Sequence, residues 1–243
     1  MGDFSLLTLK NTINNLFKGY LIGIGATVPG ISGGTIAILL NVYEDILDAT
    51  GNVYKHIRKS IVFLFPIFIG VCLGAFSFSF PIKFLCENIP LFSKLIFCCI
   101  SLFSTIYFAK TTQLDFRNFH VVKYLIFGIF SSIAFSIVSS LITLNYHVHT
   151  PLILFIYGIP LSLALILPAI SFSYMLLFFG LYDFVINSLN SLEILSLTPL
   201  LFGITFGSLI FSKLLLKLLK SNKTKTYSFV LGFVISSITD ILI

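Results

Sequence analysis

Charge is scarce in this chain: of its 243 residues only 10% are Asp, Glu, Lys or Arg, while 57% are hydrophobic. Soluble domains carry about 25% charged and about 45 to 50% apolar residues, so a water-soluble core is excluded. Cysteine is sparse too. The four, Cys72, Cys86, Cys98 and Cys99, lie in or beside apolar runs without metal-ligand or secreted-framework spacing, and read as small apolar side chains. His147 and His149 form an HxH pair with no carboxylate or cysteine nearby, which is too few ligands for a metal site. No cofactor is expected. Nor is a cleavable leader, because Asp3 and the polar stretch at 10–15 interrupt its n- and h-regions. Phe4, Leu6, Leu7, Leu9, Ile13, Leu16 and Phe17 after Asp3 predict instead a short amphipathic helix lying on a membrane surface.

What the chain has is apolar length, with a mean hydropathy of +1.06. Apolar segments run over about 19–43, 61–82, 95–109, 124–144, 152–182, 199–219 and 227–243. A membrane helix takes about 20 such residues, so the expectation is one membrane domain over 1–243 with little left for a soluble one. The net charge of +6 sits in short basic clusters between these segments, where it sets topology and forms no nucleic-acid surface.

Two segments are interrupted. The first contains Val28-Pro29-Gly30-Ile31-Ser32-Gly33-Gly34-Thr35 and the fifth Leu167-Pro168-Ala169-Ile170-Ser171-Phe172-Ser173. Proline removes a donor and glycine weakens a helix, so each should break in its middle. The two are also copies. Adding 139 carries Gly19 to Gly158, Pro29 to Pro168, Ile31 to Ile170, Ser32 to Ser171, Leu39 to Phe178, Tyr43 to Tyr182 and Glu44 to Asp183. Farther on, Gly70, Gly74, Phe78 and Ser79 match Gly203, Gly207, Phe211 and Ser212 at an offset of 133.

If each broken segment enters and leaves on one side, thirteen of the fifteen basic residues fall on or near the cytoplasmic side, and only Lys83 and Lys94 fall outside. Spanning segments would scatter the charge. Three crossings then separate corresponding points, which turns the second copy upside down. The predicted fold is an all-α polytopic membrane protein with inverted repeats at about 18–109 and 151–243 and a linking helix at about 122–144. Each repeat carries a re-entrant hairpin, and there are about five full spans besides.

Irregular backbone at membrane depth needs protein or a watery cavity to satisfy it, so the two breaks are expected to meet in the interior. Pro29 breaks the helix, and Gly30, Gly33 and Gly34 allow close backbone approach. Ser32 and Thr35, with Ser171 and Ser173 after Pro168, supply hydroxyls at the start of half-helices. Together these suit a phosphate. The alternative is that small residues serve only close helix packing. Glu44 and Asp183, each after a tyrosine, are the candidates for binding a coupled proton or cation, against a role as solvated interface residues.

At these residues the chain resembles the polyprenyl-phosphate transporter (PopT) family. Its hallmarks are a PGxSGGT-x-A segment leading to tyrosine and glutamate, and a later PGxSGS segment leading to Gly-x-Tyr. The first stands here as Pro29 to Ala37 with Tyr43-Glu44. In the second, Ala169 and Phe172 replace glycines while Pro168, Ser171, Ser173, Gly180 and Tyr182 remain, and Asn41 stands where the first copy usually has glycine. The resemblance covers nearly the whole chain. It implies a flippase that returns undecaprenyl phosphate, the lipid carrier of cell-wall polymers, to the inner leaflet of a bacterial plasma membrane. The implied partners are that lipid and the membrane; coupling to a proton or sodium ion, and the oligomeric state, stay open.

Two other readings share the hairpins. Undecaprenyl-pyrophosphate phosphatases carry an arginine directly after the motif serine, where this chain has Gly33 and Phe172, and neither broken segment holds an arginine. An enzyme would need such a cation for developing charge. A transporter of a small soluble anion differs only in whether its cavity opens toward lipid.

Overall fold

Hydrophobic runs this long and this poor in turn residues have one economical solution in a membrane, which is to satisfy their backbone groups within helices. The computed structural model describes residues 2–28, 32–141, 150–168, 170, 172–191 and 193–237, and among them no strand occurs. The chain divides into two compact units, one up to Leu114 and the other from Asp115 to Ser236.

The first unit contains α1 (Gly2–Thr27), α2 (Gly33–Leu39), α3 (Tyr43–Gly51), α4 (Ile57–Asn88) and α5 (Pro90–Thr111). Glycine sets its central contact. A Cβ on Gly19 would collide with the Ile67 carbonyl and one on Gly23 with that of Val71, while Cβ atoms on Gly70 and Gly74 would strike the Leu16 and Tyr20 carbonyls. These pairings advance together along both helices, so α1 and α4 run parallel with their backbones touching, as small residues permit in membranes. The start of α1 and the start of α4 therefore lie at the same end, and the chain over 28–56 returns to it. Where α1 stops, Val28 is buried with Phe97 of α5, against Ile36, Ile82 and Ile96.

The second unit contains α6 (Phe119–Leu141), α7 (Pro151–Ile166), α8 (Phe172–Phe178), α9 (Tyr182–Asn190), a 3-10 turn (Ile194–Leu197) and α10 (Thr198–Ser237). Gly203 meets the Phe155 carbonyl and Gly207 that of Ile159, so α7 and the first arm of α10 are also parallel. Asn222 (φ −148, ψ 66) breaks the helical path within α10. The second arm packs on α6 through Gly128 and Gly232, with Phe127 on Phe229 and Lys225 over the Tyr124 ring.

Three helical stretches are long and apolar enough to cross a membrane, Ile57–Ile82, Leu91–Thr111 and Leu195–Ser236, with shorter apolar helices at Phe119–Ala134 and Pro151–Ile166. Their outer faces carry large side chains that a soluble protein would bury. Phe76 is 84% exposed and Phe103 70%, which suits contact with lipid.

The helix boundaries correct one expectation and leave another standing. The N-terminal amphipathic stretch is not a separate surface helix: α1 continues unbroken to Thr27, because nothing between Asp3 and Lys18 breaks it and Gly19 is covered by α4. The apolar stretches at 199–219 and 227–237 stay distinct helical arms, because Asn222 leaves the helical path between them (φ −148, ψ 66).

Candidate functional site in the broken helices

Each unit carries the same interrupted element. α1 ends at Thr27 and α7 at Ile166; α2 spans Gly33–Leu39 and α8 Phe172–Phe178; α3 spans Tyr43–Gly51 and α9 Tyr182–Asn190. Every boundary is displaced by the 139 residues that separate the two motifs (166 − 27, 172 − 33, 182 − 43). The glycine contacts repeat as well, since Gly19 on Ile67 and Gly70 on Leu16 become Gly158 on Leu200 and Gly203 on Phe155. Two stretches of different sequence thus fold to one local plan.

In the first break the C-terminal turn of α1 closes through Thr27, whose hydroxyl donates to the Ile24 carbonyl at 2.7 Å, and through the Val28 N–H, which donates to Gly25 at 3.3 Å. Pro29, Gly30 and Ile31 lie outside the described residues. Ser32 then caps α2 from an extended conformation (φ −100, ψ 143), and its Oγ accepts from the Gly34 N–H at 3.2 Å. The Thr35 and Ile36 amides donate to the Ser32 carbonyl. The start of α2 is therefore partly satisfied by its own cap, which reduces the bare amides the sequence led one to expect. The serine Oγ accepts this bond while its proton stays available for a ligand.

Thr35 is 2% exposed. Among the described residues its hydroxyl has no hydrogen-bond partner, although a buried hydroxyl without one costs about 1 to 3 kcal/mol. Gly33 and Gly34 are half-buried beside it, and a Cβ on Gly33 would lie 3.2 Å from an Ile22 methyl. Ser32, Gly33, Gly34 and Thr35 are thus gathered at one helix start against α1.

In the second break the Leu167 N–H closes α7 on the Leu163 carbonyl at 2.7 Å, and Pro168 is fully buried. Ala169 and Ser171 lie outside the described residues, as does the Ser173 side chain. α8 packs its buried Met175 and Leu176 with Leu154, Leu161 and Ala164 of α7 and Leu200 of α10.

Both short helices end in one device. The Asn41 and Val42 amides donate to the Ile38 and Ala37 carbonyls, with Asn41 left-handed at φ 53. In the copy the Leu181 amide donates to the Leu176 carbonyl, and Gly180 is left-handed at φ 65. This αL stop reverses the chain into α3 and α9. A short polar or glycine residue two places before each tyrosine was its sequence signal.

The acidic pair sits in unequal surroundings. Tyr43 is buried and Glu44 half-buried in the first turn of α3, whereas Tyr182 and Asp183 in α9 are exposed. His147 and His149 lie outside the described residues, and among those described no group of three or more metal-ligating side chains occurs.

Residues 22–243 match the model of the VCA0040-like family, described as undecaprenyl phosphate translocase-like. A Staphylococcus aureus protein named polyprenyl-phosphate transporter is 30% identical over 237 residues, covering 92% of this chain and 84% of that protein. A Vibrio cholerae protein of the same name is 25% identical over 247 residues, covering 95% and 78% respectively. No solved structure matches the chain. Both relatives are named as transporters and neither as an enzyme, so this chain is a membrane transporter rather than a phosphatase. With the family model matched over residues 22–243, nearly the full length, the chain belongs to the undecaprenyl phosphate translocase-like family.

Proposed function

We propose that this protein is a flippase for polyprenyl phosphate, with undecaprenyl phosphate as its substrate, and that it returns the lipid from the outer to the inner leaflet of a bacterial plasma membrane. The names of the two relatives support the substrate class. The observation that carries the reading is the broken helix itself. A phosphate head can cross hydrocarbon only along polar groups that replace its water, and the buried Thr35 hydroxyl beside Ser32 is such a group. The prenyl chain needs no such path and stays in lipid.

The same reading makes each broken segment a re-entrant hairpin and the two copies inverted. Parallel α1 and α4 support the first hairpin, because the segment between them must come back to the end from which α1 set out. Parallel α7 and α10 support the second in the same way. Pro29, Gly30, Ser32, Gly33, Gly34 and Thr35 form the first phosphate-handling segment, with Pro168, Ser171 and Ser173 as its counterpart. Glu44 and Asp183 are assigned to ion coupling, and the N-terminus to the cytoplasm.

Reconstitution tests this directly. Proteoliposomes should exchange a labelled polyprenyl phosphate between leaflets without releasing inorganic phosphate, and a Ser32→Ala, Ser171→Ala double variant should insert normally and lose exchange. Full exchange by that variant removes the site assignment. Labelling from one side should find the 55–59 and 220–225 basic loops together; opposite placement defeats the inverted arrangement.

A further inference from the structure

Away from the break, the starts of α1 and α4 enclose an open groove of about 780 Å³. Asn11, Thr12 and Asn15 line it from α1, and His56, Arg58 and Lys59 from the start of α4, with Ile57, Val62 and Phe63 beyond them. No acidic residue lines it. Among the described residues, the side chains of Arg58, Lys59 and His56 have neither an ion-pair nor a hydrogen-bond partner, in contrast to the neighbouring Lys55, which lies over the Tyr54 ring.

Its position defines its chemistry. The groove sits where the membrane-capable stretch Ile57–Ile82 begins, so polar and apolar surroundings meet there. Val28 stands thirteen positions beyond Asn15 (28 − 15), about 20 Å of helix, which sets the groove well apart from the break. Two exposed cations, amide donors on the opposite wall and an adjoining strip of exposed Ile57 and Val62 match an amphiphile with a phosphate head.

We propose that this groove holds the phosphate head of an anionic lipid. Arg58 and Lys59 neutralise the phosphate, His56, Asn11 and Asn15 donate hydrogen bonds to it, and the hydrocarbon chain lies along Ile57, Val62 and Phe63. Basic residues at a helix start also serve membrane topology, but topology needs only their charge. The facing wall of amides adds hydrogen-bond donors that topology does not use. The inference does not rest on the transport reading, because the groove shares no residue with the break.

The test uses the purified full chain in phosphatidylcholine nanodiscs, with phosphatidylglycerol and farnesyl phosphate as separate probes and retained lipid read by native mass spectrometry. Each cation near a membrane surface contributes about 1 kcal/mol, so Arg58→Gln with Lys59→Gln should weaken retention at least about tenfold. Asn15→Phe keeps every charge while filling the groove and should weaken it comparably, which decides the matter if the charge variant fails to insert. Phe76→Leu, at an exposed position outside both the groove and the break, should leave retention unchanged. Preferred retention of phosphatidylglycerol identifies a resident phospholipid, and preferred retention of farnesyl phosphate a loading site for the transported class. Retention of neither, or retention indifferent to Asn15→Phe, overturns the proposal. Loss with Ser32→Ala alone overturns it too, by moving the lipid phosphate to the break while leaving the transport reading standing.

Discussion

Asn41 and Gly180 turn the chain at the same left-handed corner, with φ of 53 and 65, one in each unit and 139 residues apart (180 − 41). In each case a seven-residue helix stops and the next, beginning with tyrosine, sets off in a new direction. A left-handed residue with a Cβ is strained by about 1 kcal/mol or more, and asparagine is the residue that tolerates it best after glycine.

The corner therefore responds unequally to substitution. Asn41→Gly should leave stability unchanged or raise it by a few tenths to about 1 kcal/mol, while Gly180→Val should lower it by at least about 1 kcal/mol. Thermal unfolding in detergent with a fixed lipid content measures both. A Gly180→Val protein as stable as the parent would mean that the corner is not left-handed.

Glycine contacts between parallel helices make a second prediction. Gly70→Val and Gly203→Val each drive a side chain into a facing backbone carbonyl, of Leu16 and Phe155 respectively. Neither backbone can yield without separating its helices, so each variant should lose about 2 to 3 kcal/mol or fail to accumulate. Phe76→Leu, at a position 84% exposed, should accumulate normally. Comparison of detergent-extracted monomer levels checks all three.

Ser32 caps α2 and, in the transport reading, also meets phosphate. These roles separate with Ser32→Asp, which retains a cap acceptor but brings a negative charge. Helix stability should be kept, while leaflet exchange of polyprenyl phosphate should fall at least about tenfold. Ser32→Ala should lose about 1 kcal/mol of stability as well. Normal exchange by the aspartate variant would restrict Ser32 to capping.

Thr35→Val replaces a buried hydroxyl by a methyl of nearly the same size. If the hydroxyl waits for a ligand, the apoprotein should gain about 1 kcal/mol and exchange should drop. A loss of stability greater than about 1 kcal/mol would show instead that the hydroxyl is satisfied within the fold. Parallel melting and exchange assays on one preparation distinguish the outcomes.

Much of this was legible in residue order. The two breaks, their offset and the starts of the short helices follow from proline, glycine and capping chemistry, all of which act within a few residues. The capping of Gly34 by Ser32 is equally local, but its effect on the amides available to an anion needed the bond itself. The uninterrupted run of α1 past Lys18 was not legible, because a polar stretch followed by an apolar one reads as two helices until Gly19 is seen under Ile67.

Sequence alone determined that the chain lives in a membrane, that it repeats an interrupted helix, and which residues stand at each interruption. Hydrophobicity and backbone restriction are properties of neighbours in the chain. Tertiary structure decided that α1 and α4 run parallel, that Thr35 is buried, and that Asn11 and Asn15 face Arg58 and Lys59 across a groove. Those relations join residues more than forty positions apart or depend on what covers a side chain, and packing between helices creates them.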